Sequence, residues 1–238
     1  MDAMPIAEYD RGWEERWDDM KRYGPMSRHI RRNIKQLIRP LQFQSVLDIG
    51  CGQGSLLAEL RTEFPHIEVF GSDFSTSAVR MARRQVDGGE YCVFDLVQGN
   101  LNRQFDLIVC SEVLEHIPDD RAALRNLAAM TGKYLVISTV QGRMRRFEAG
   151  EVGHVRNYAY GELAQKVEAA GMNVLKVVEW GFPFYSPLYR DVIDLTNTRG
   201  TMGTFGPGRK LLSQMIYAIF LLNSSRVGDE IFLLAGKP

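Results

Sequence analysis

The chain has 238 residues, equal numbers of basic and acidic side chains (29 each) and 45% hydrophobic residues. That length can bury a substantial core, and the composition is that of a folded globule rather than a disordered or fibrous chain. Zero formal net charge gives no global field toward nucleic acid or membrane. The longest apolar run, 211–222, is shorter than the roughly 20 residues a membrane span needs.

Taken in chain order, residues 1–40 read as a helical extension. Tyr9, Trp13 and Trp17 recur at four-residue spacing, on one helix face. From 21 to 39 stand seven basic residues and no acid: Lys21, Arg22, Arg28, Arg31, Arg32, Lys35 and Arg39. That run is either a solvated helix face or a patch for an anionic small molecule. The start of the chain is too charged for a signal peptide. Cys51, Cys92 and Cys110 lie in apolar runs or a glycine turn, unlike a disulfide framework, so a reduced, cytoplasmic protein is expected.

From residue 45 strand and helix signals alternate, which predicts an α/β fold with a parallel sheet covered on both faces. Strands are expected at 45–50, 68–73, 91–96, 105–113, 134–140, 173–182 and 230–236. The run 105–113 is continuously apolar, as in a strand buried on both sides. Helices are expected from Ser55, after Ser75 as N-cap, from Pro118-Asp119-Asp120, and across 160–171 with Gly171 as cap. Residues 141–157, with Arg143, Arg145 and Arg146, read as a loop. Residues 183–228 form a long aromatic insertion before the last strand. Its helix, 209–223, groups Leu211, Leu212, Met215, Ile216, Ile219 and Phe220 on one side, a face for the core or a dimer rather than for lipid. The homodimer and a peripheral lipid contact stay open.

The most informative stretch is VLDIGCGQG, 46–54, an apolar strand with one acid that breaks into glycines 50, 52 and 54 before a helix. Such a turn lets a ligand approach the backbone closely. It is neither the dinucleotide fingerprint nor a P-loop, since Gln53-Gly54-Ser55 stands where x-x-Gly is needed. It resembles the cofactor loop of class I S-adenosylmethionine-dependent methyltransferases. The post-strand segment CSEVLEHIPDD, 110–120, is similar to that of their small-molecule members, among them the ubiquinone-pathway O-methyltransferases. The strand-by-strand likeness covers 45–182 and 230–236.

The resemblance implies a Rossmann-like, seven-stranded, mostly parallel sheet whose last strand is antiparallel, with an N-terminal helical extension and a helical insertion before the last strand. It divides one methyltransferase domain into a helical lid (1–40), a cofactor core (41–182 and 229–238) and an acceptor-side insertion (183–228). Gly50, Cys51, Gly52 and Gly54 would take the methionine and ribose portions of S-adenosylmethionine through their backbone. Asp48 would order that loop and meet the methionine amine. Asp73 would hold the ribose hydroxyls, Phe74 the adenine face, and Asp95 with Leu96 the adenine edge. Ser111 and Glu112 would line the methionine end, with Arg28 reaching the carboxylate. HVRNYAYGEL, 154–163, is similar to a stretch after the fifth strand in several such enzymes. His154 and His116 are therefore the candidate bases, and Arg156, Tyr158 and Tyr185 the candidate acceptor residues.

The expected reaction is methyl transfer from S-adenosylmethionine, leaving S-adenosylhomocysteine, to a small molecule. The expected acceptor atom is a hydroxyl oxygen of a metabolite, glycan or lipid-linked compound, with no metal. A non-catalytic cofactor-binding protein, or methylation at N or C of a natural product, remains as the alternative. Nucleic acid is not an expected partner: CSEV stands where a base-modifying NPPY-type tetrapeptide would be, and the chain has no net basic charge.

Overall fold

The computed structural model describes residues 6–196 and 202–238; positions 1–5 of the expected lid and 197–201 of the expected insertion lie outside the described residues. The N-terminal extension is helical: α1 (Ile6–Gly12), a π-helical turn (Trp13–Trp17), α2 (Asp18–Tyr23) and α3 (Pro25–Ile38). The break between α2 and α3 falls at Gly24-Pro25, where proline starts a helix readily because its missing N–H needs no partner there.

Strand and helix then alternate as β1 (Ser45–Ile49), α4 (Ser55–Glu63), β2 (Glu68–Asp73), α5 (Thr76–Gln85), β3 (Glu90–Val93), β4 (Phe105–Ser111), α6 (Asp120–Met130) and β5 (Thr131–Val140). After them come α7 (Glu162–Ala169), β6 (Asn173–Trp180), α8 (Arg190–Thr196), α9 (Pro207–Phe220) and β7 (Glu230–Gly236). The seven strands form one sheet in the order β3-β2-β1-β4-β5-β7-β6. The first five pair in parallel, and β7 runs antiparallel between β5 and β6. The expected Rossmann-like sheet with an antiparallel last strand is thus the fold.

Local chemistry fixes the helix starts. Ser75 accepts from the Ala78 N–H at 3.1 Å and Asp119 from the Ala122 N–H at 2.9 Å, so each satisfies an otherwise free donor of the first turn. Apolar layers cover both faces of the sheet. One joins α3 and α4 (Ile34, Leu37, Leu57, Leu60) to Trp180 and Phe220; the other joins α6 and α7 (Leu124, Leu127, Leu163, Val167) to Ile108 and Leu135. Trp13 and Trp17 pack with Ala78, which seats the N-terminal helices on α5.

Several boundaries differ from the sequence reading. β3 stops at Val93, leaving Asp95 and Leu96 in the turn beyond it. β4 stops at Ser111 because Glu112 adopts φ 57°, which turns the chain out of the sheet. The loop 141–157 contains a π-helical turn, Glu148–Val152. Of the α9 side expected for the core or a dimer, only Phe220 is buried and Ile216 packs against the core, while Leu211, Leu212, Met215 and Ile219 are exposed.

Candidate active site

The carboxyl ends of β1, β2 and β4 lie side by side, and a cavity of about 500 Å³ opens over them. Ligands of open α/β sheets sit at this edge, where the strand order reverses around β1. The glycine loop forms one wall. Gly50 and Gly52 have φ of +73° and +53°, and a Cβ on either would come within 2.3 Å of Val113 or Trp13 respectively. Both the backbone conformation and the space therefore require glycine.

Asp73 ties the loop to β2. Its carboxylate accepts from the Gly52 N–H at 3.0 Å and the Ser75 N–H at 2.9 Å. Burial still raises its pKa to about 6. Asp48 is buried beside it at the end of β1, and burial together with the charge of Asp73 raises its pKa to about 8. Two acids held partly protonated in one cavity gain by ionising when a cation enters.

The other expected cofactor residues follow around the rim. Phe74 lines the cavity and packs against Tyr9 of α1, ring centres 4.3 Å apart. Asp95 accepts from the Val97 N–H and the Gln98 side-chain amide, and Leu96 is buried next to it; both line the cavity. Ser111 shares a hydrogen bond with Ser138 at 2.8 Å, and Ser138 also donates to Glu112 at 3.1 Å. Cys51 lines the cavity with its thiol pushed up by burial; Gly54, in the left-handed region, starts α4 beneath it.

Six expected residues do not line the cavity: Gly54 and His154, each next to a residue that does, and four that are elsewhere. Arg28 points to α9, donating to Gln214 at 2.8 Å and stacking on Tyr217. The cavity receives Lys21 and Arg31 instead. Arg156 is spent on the carbonyls of Ile117 and Pro118 and on Asp120. Tyr158 is fully buried and donates to Asp120 at 2.9 Å. Tyr185 is buried among Trp180, Tyr189 and Phe220, away from the cavity. Arg156 and Tyr158 tie the chain after β5 to Asp120 of α6, and Tyr185 packs the insertion on Trp180.

The two histidines do come together, ring centres 4.9 Å apart, but only His116 lines the cavity. The His116 Nδ1 meets the Gly153 carbonyl at 3.1 Å, which makes that nitrogen the donor and leaves Nε2 as a lone pair. Burial lowers its pKa to about 4. Behind it, burial and the nearby His116 lower His154 to about 3, and its Nδ1 lies 3.3 Å from the Asn157 side-chain oxygen. Glu115, fully buried and held by the Thr139 hydroxyl at 2.8 Å, completes the group; burial and Glu112 raise its pKa. Glu115, His116 and His154 offer ligand atoms within 4.8 Å of one another. The expectation of no metal thus meets a donor set that suits a divalent cation: two neutral imidazoles and a carboxylate.

Sequence reasoning passed over Lys21, the π turn's Val152 with Phe147, and Ile193 and Met202 of the insertion, which close the cavity's far side. Lys21 lines the cavity, and its charge opposes the upward shift of both Asp48 and Asp73. The basic run held the signal, but no spacing rule picks this member out of seven.

A class I methyltransferase fold, with its glycine loop and strand-end acids around one cavity, is what these elements define. Residues 20–177 match the family model described as a methyltransferase domain, and the chain belongs to that family. A ubiquinone biosynthesis O-methyltransferase from Thiobacillus denitrificans is 28% identical over 163 residues, covering 64% of this chain and 69% of that one. The corresponding protein of Coxiella burnetii is 30% identical over 158 residues, covering 58% and 67%. Among solved structures, the N-methyltransferase NodS of Bradyrhizobium japonicum, bound to S-adenosylhomocysteine, superposes over 98% of both chains. Its TM-score is 0.64 at 16% identity, a likeness of fold alone.

Proposed function

We propose that this enzyme methylates a hydroxyl oxygen of a small molecule held between the cavity's cofactor wall and the residues of the 141–157 loop and the insertion. The methyl donor is S-adenosylmethionine, which supplies an electrophilic methyl on a sulfonium. The observation that carries the reading is the convergence of Asp48, the glycine loop, Asp73, Asp95 and Ser111-Glu112 on one cavity that also holds His116.

In this reading Asp48, Asp73 and Glu112 favour the cationic donor, and Asp73 also takes the ribose hydroxyls on its remaining lone pairs. Phe74 and Leu96 sandwich the base whose edge Asp95 meets. Lys21 takes the place assigned to Arg28, facing the methionine carboxylate, and Arg31 holds the Lys21 and Arg22 carbonyls beside it. Phe147, Val152, Ile193 and Met202 give the acceptor an apolar wall, which also excludes water. The α1–α2 segment acts as a lid: Trp13 lies on Gly52 and Tyr9 on Phe74.

His116 Nε2 is the proton acceptor that touches the cavity, and His154 positions it from behind. A base with pKa near 4 is already neutral at pH 5, so kcat should stay flat from about pH 5 to 8 rather than fall below 6.5. The donor set with Glu115 favours a second reading. There Glu115, His116 and His154 would hold a divalent cation, which would supply Lewis-acid chemistry toward the acceptor hydroxyl, and activity would be lost on chelation and restored by Mg²⁺ or Zn²⁺. Tritiated S-adenosylmethionine with a panel of catechols, sugars and amines tests the function. Label is expected on oxygen, and His116→Ala is expected to lower kcat by about 100-fold with donor affinity retained. Transfer to nitrogen, or an unchanged kcat, would overturn the acceptor assignment or the role of His116.

A further inference from the structure

We propose that the face built by α3 and α9 docks this enzyme on an anionic phospholipid surface. α9 is held from its inner side alone. Ser213 donates to the Tyr23 carbonyl, the His29 ring meets the Tyr217 carbonyl at 2.9 Å, and Phe220 is buried. Its outer side presents Leu211, Met215, Ala218, Ile219 and, just past its end, Leu222. These recur at three- and four-residue spacing and so share one face. Leu211 is 64% exposed, Met215 58% and Leu222 71%. An uninterrupted apolar face on a water-exposed helix marks an interaction surface.

The flank of that face is basic. Residues 202–228 carry Arg209, Lys210 and Arg226 and no acid, and residues 25–44 carry five cations and no acid. The neighbouring acids are already engaged. Glu59 and Glu63 of α4 pair with Arg31, Lys35 and Arg39, Asp18 pairs with Arg22, and Asp19 accepts from the Phe205 N–H. Among the described residues Arg28, Arg32 and Lys210 form no ion pair. Arg28, Arg32, Lys35 and Arg39, with Gln36, Tyr217 and the already paired Glu59 of α4, line a second, polar cleft of about 320 Å³ beside α3, so cations outnumber acid there.

An apolar ridge beside a basic cleft matches the two layers of an anionic bilayer surface, with acyl chains for the ridge and phosphates for the cleft. At 14 residues α9 lies in such an interface rather than crossing it, and no described helix is long and apolar enough to span. A second copy of this face fits less well, because neither α3 nor α9 offers a carboxylate to meet the partner's cations.

The test uses the full chain in co-sedimentation with vesicles of phosphatidylcholine alone or mixed with phosphatidylglycerol. Binding to the mixed vesicles should be at least about tenfold tighter and should weaken with added salt. Met215→Glu, and separately Lys210→Glu, should each lower that binding several-fold while titration with S-adenosylhomocysteine shows the cofactor site unchanged. Binding indifferent to phosphatidylglycerol, or unaffected by both variants, would overturn the proposal. So would absence of vesicle binding accompanied by a dimer that Met215→Glu dissociates.

Discussion

Asp48 shows what the site asks of single residues. Its acid is buried under the glycine loop with a pKa near 8, whereas an unfolded chain would hold it near 3.9. The folded state therefore binds its proton more tightly, and stability is lost as pH rises from about 4 through about 8. Asp48→Asn should raise the Tm of the ligand-free protein at pH 9 by about 2–4 °C per kcal/mol relieved, do nothing at pH 4, and weaken donor binding about tenfold. The same linkage makes donor affinity rise from about pH 6 to 8 as Asp48 and Asp73 ionise, with protons released in calorimetry. These acids were legible in the sequence because each ends an apolar strand at a known spacing from the glycines. Arg28 was not: the Gly24-Pro25 break sets the rotation of α3, and rotation decides which member of a basic run faces the cavity. Tyr158 and Arg156 matched a motif, but Asp120 claims both, and a motif does not reveal its partners.

At the scale of elements, strands buried on both faces were read closely and the segments proposed to shape the acceptor side were not. β3 is an edge strand of four residues, so nothing in its apolar pattern marks its end. The loop 141–157 and the insertion are joined by a buried ionic network with no linear signature. Arg190, 1% exposed, donates to Glu148 at 2.7 Å and Asp229 at 2.5 Å, and Asp229 also receives Arg145 at 3.0 Å. Arg190→Ala leaves the buried Glu148 without its cation and Asp229 with Arg145 alone, and should cost about 3 kcal/mol, lowering Tm by about 10 °C in a thermal melt. The N-terminal helices make a parallel case. Asp10 accepts from the Ser77 N–H at 3.2 Å and Glu14 from the Ser77 hydroxyl at 2.7 Å, which hangs these helices, proposed as a lid, on the start of α5. Amide exchange in 6–20 should slow when S-adenosylhomocysteine binds; equal exchange with and without it would remove the lid role.

For the whole molecule, the alternation of strand and helix signals carried the strands and helices, because core burial repeats with their periods, while the antiparallel last strand was implied only by the family resemblance. The orientation of α9 was not legible, since an apolar helix face looks alike whether it meets a core or stays in water. What the two halves share is one cavity at the carboxyl edge of the sheet, and its identity as the donor site underlies every role assigned above. The most direct measurement is isothermal titration of the purified chain with S-adenosylhomocysteine, alongside NAD, for wild type and Gly50→Val. Gly50→Val would drive a side chain into Val113 and force a left-handed φ on a β-branched residue. One-to-one binding of S-adenosylhomocysteine by the wild type, abolished in Gly50→Val and absent for NAD, is the expected result. No heat with S-adenosylhomocysteine, or equal binding by the variant, would contradict it.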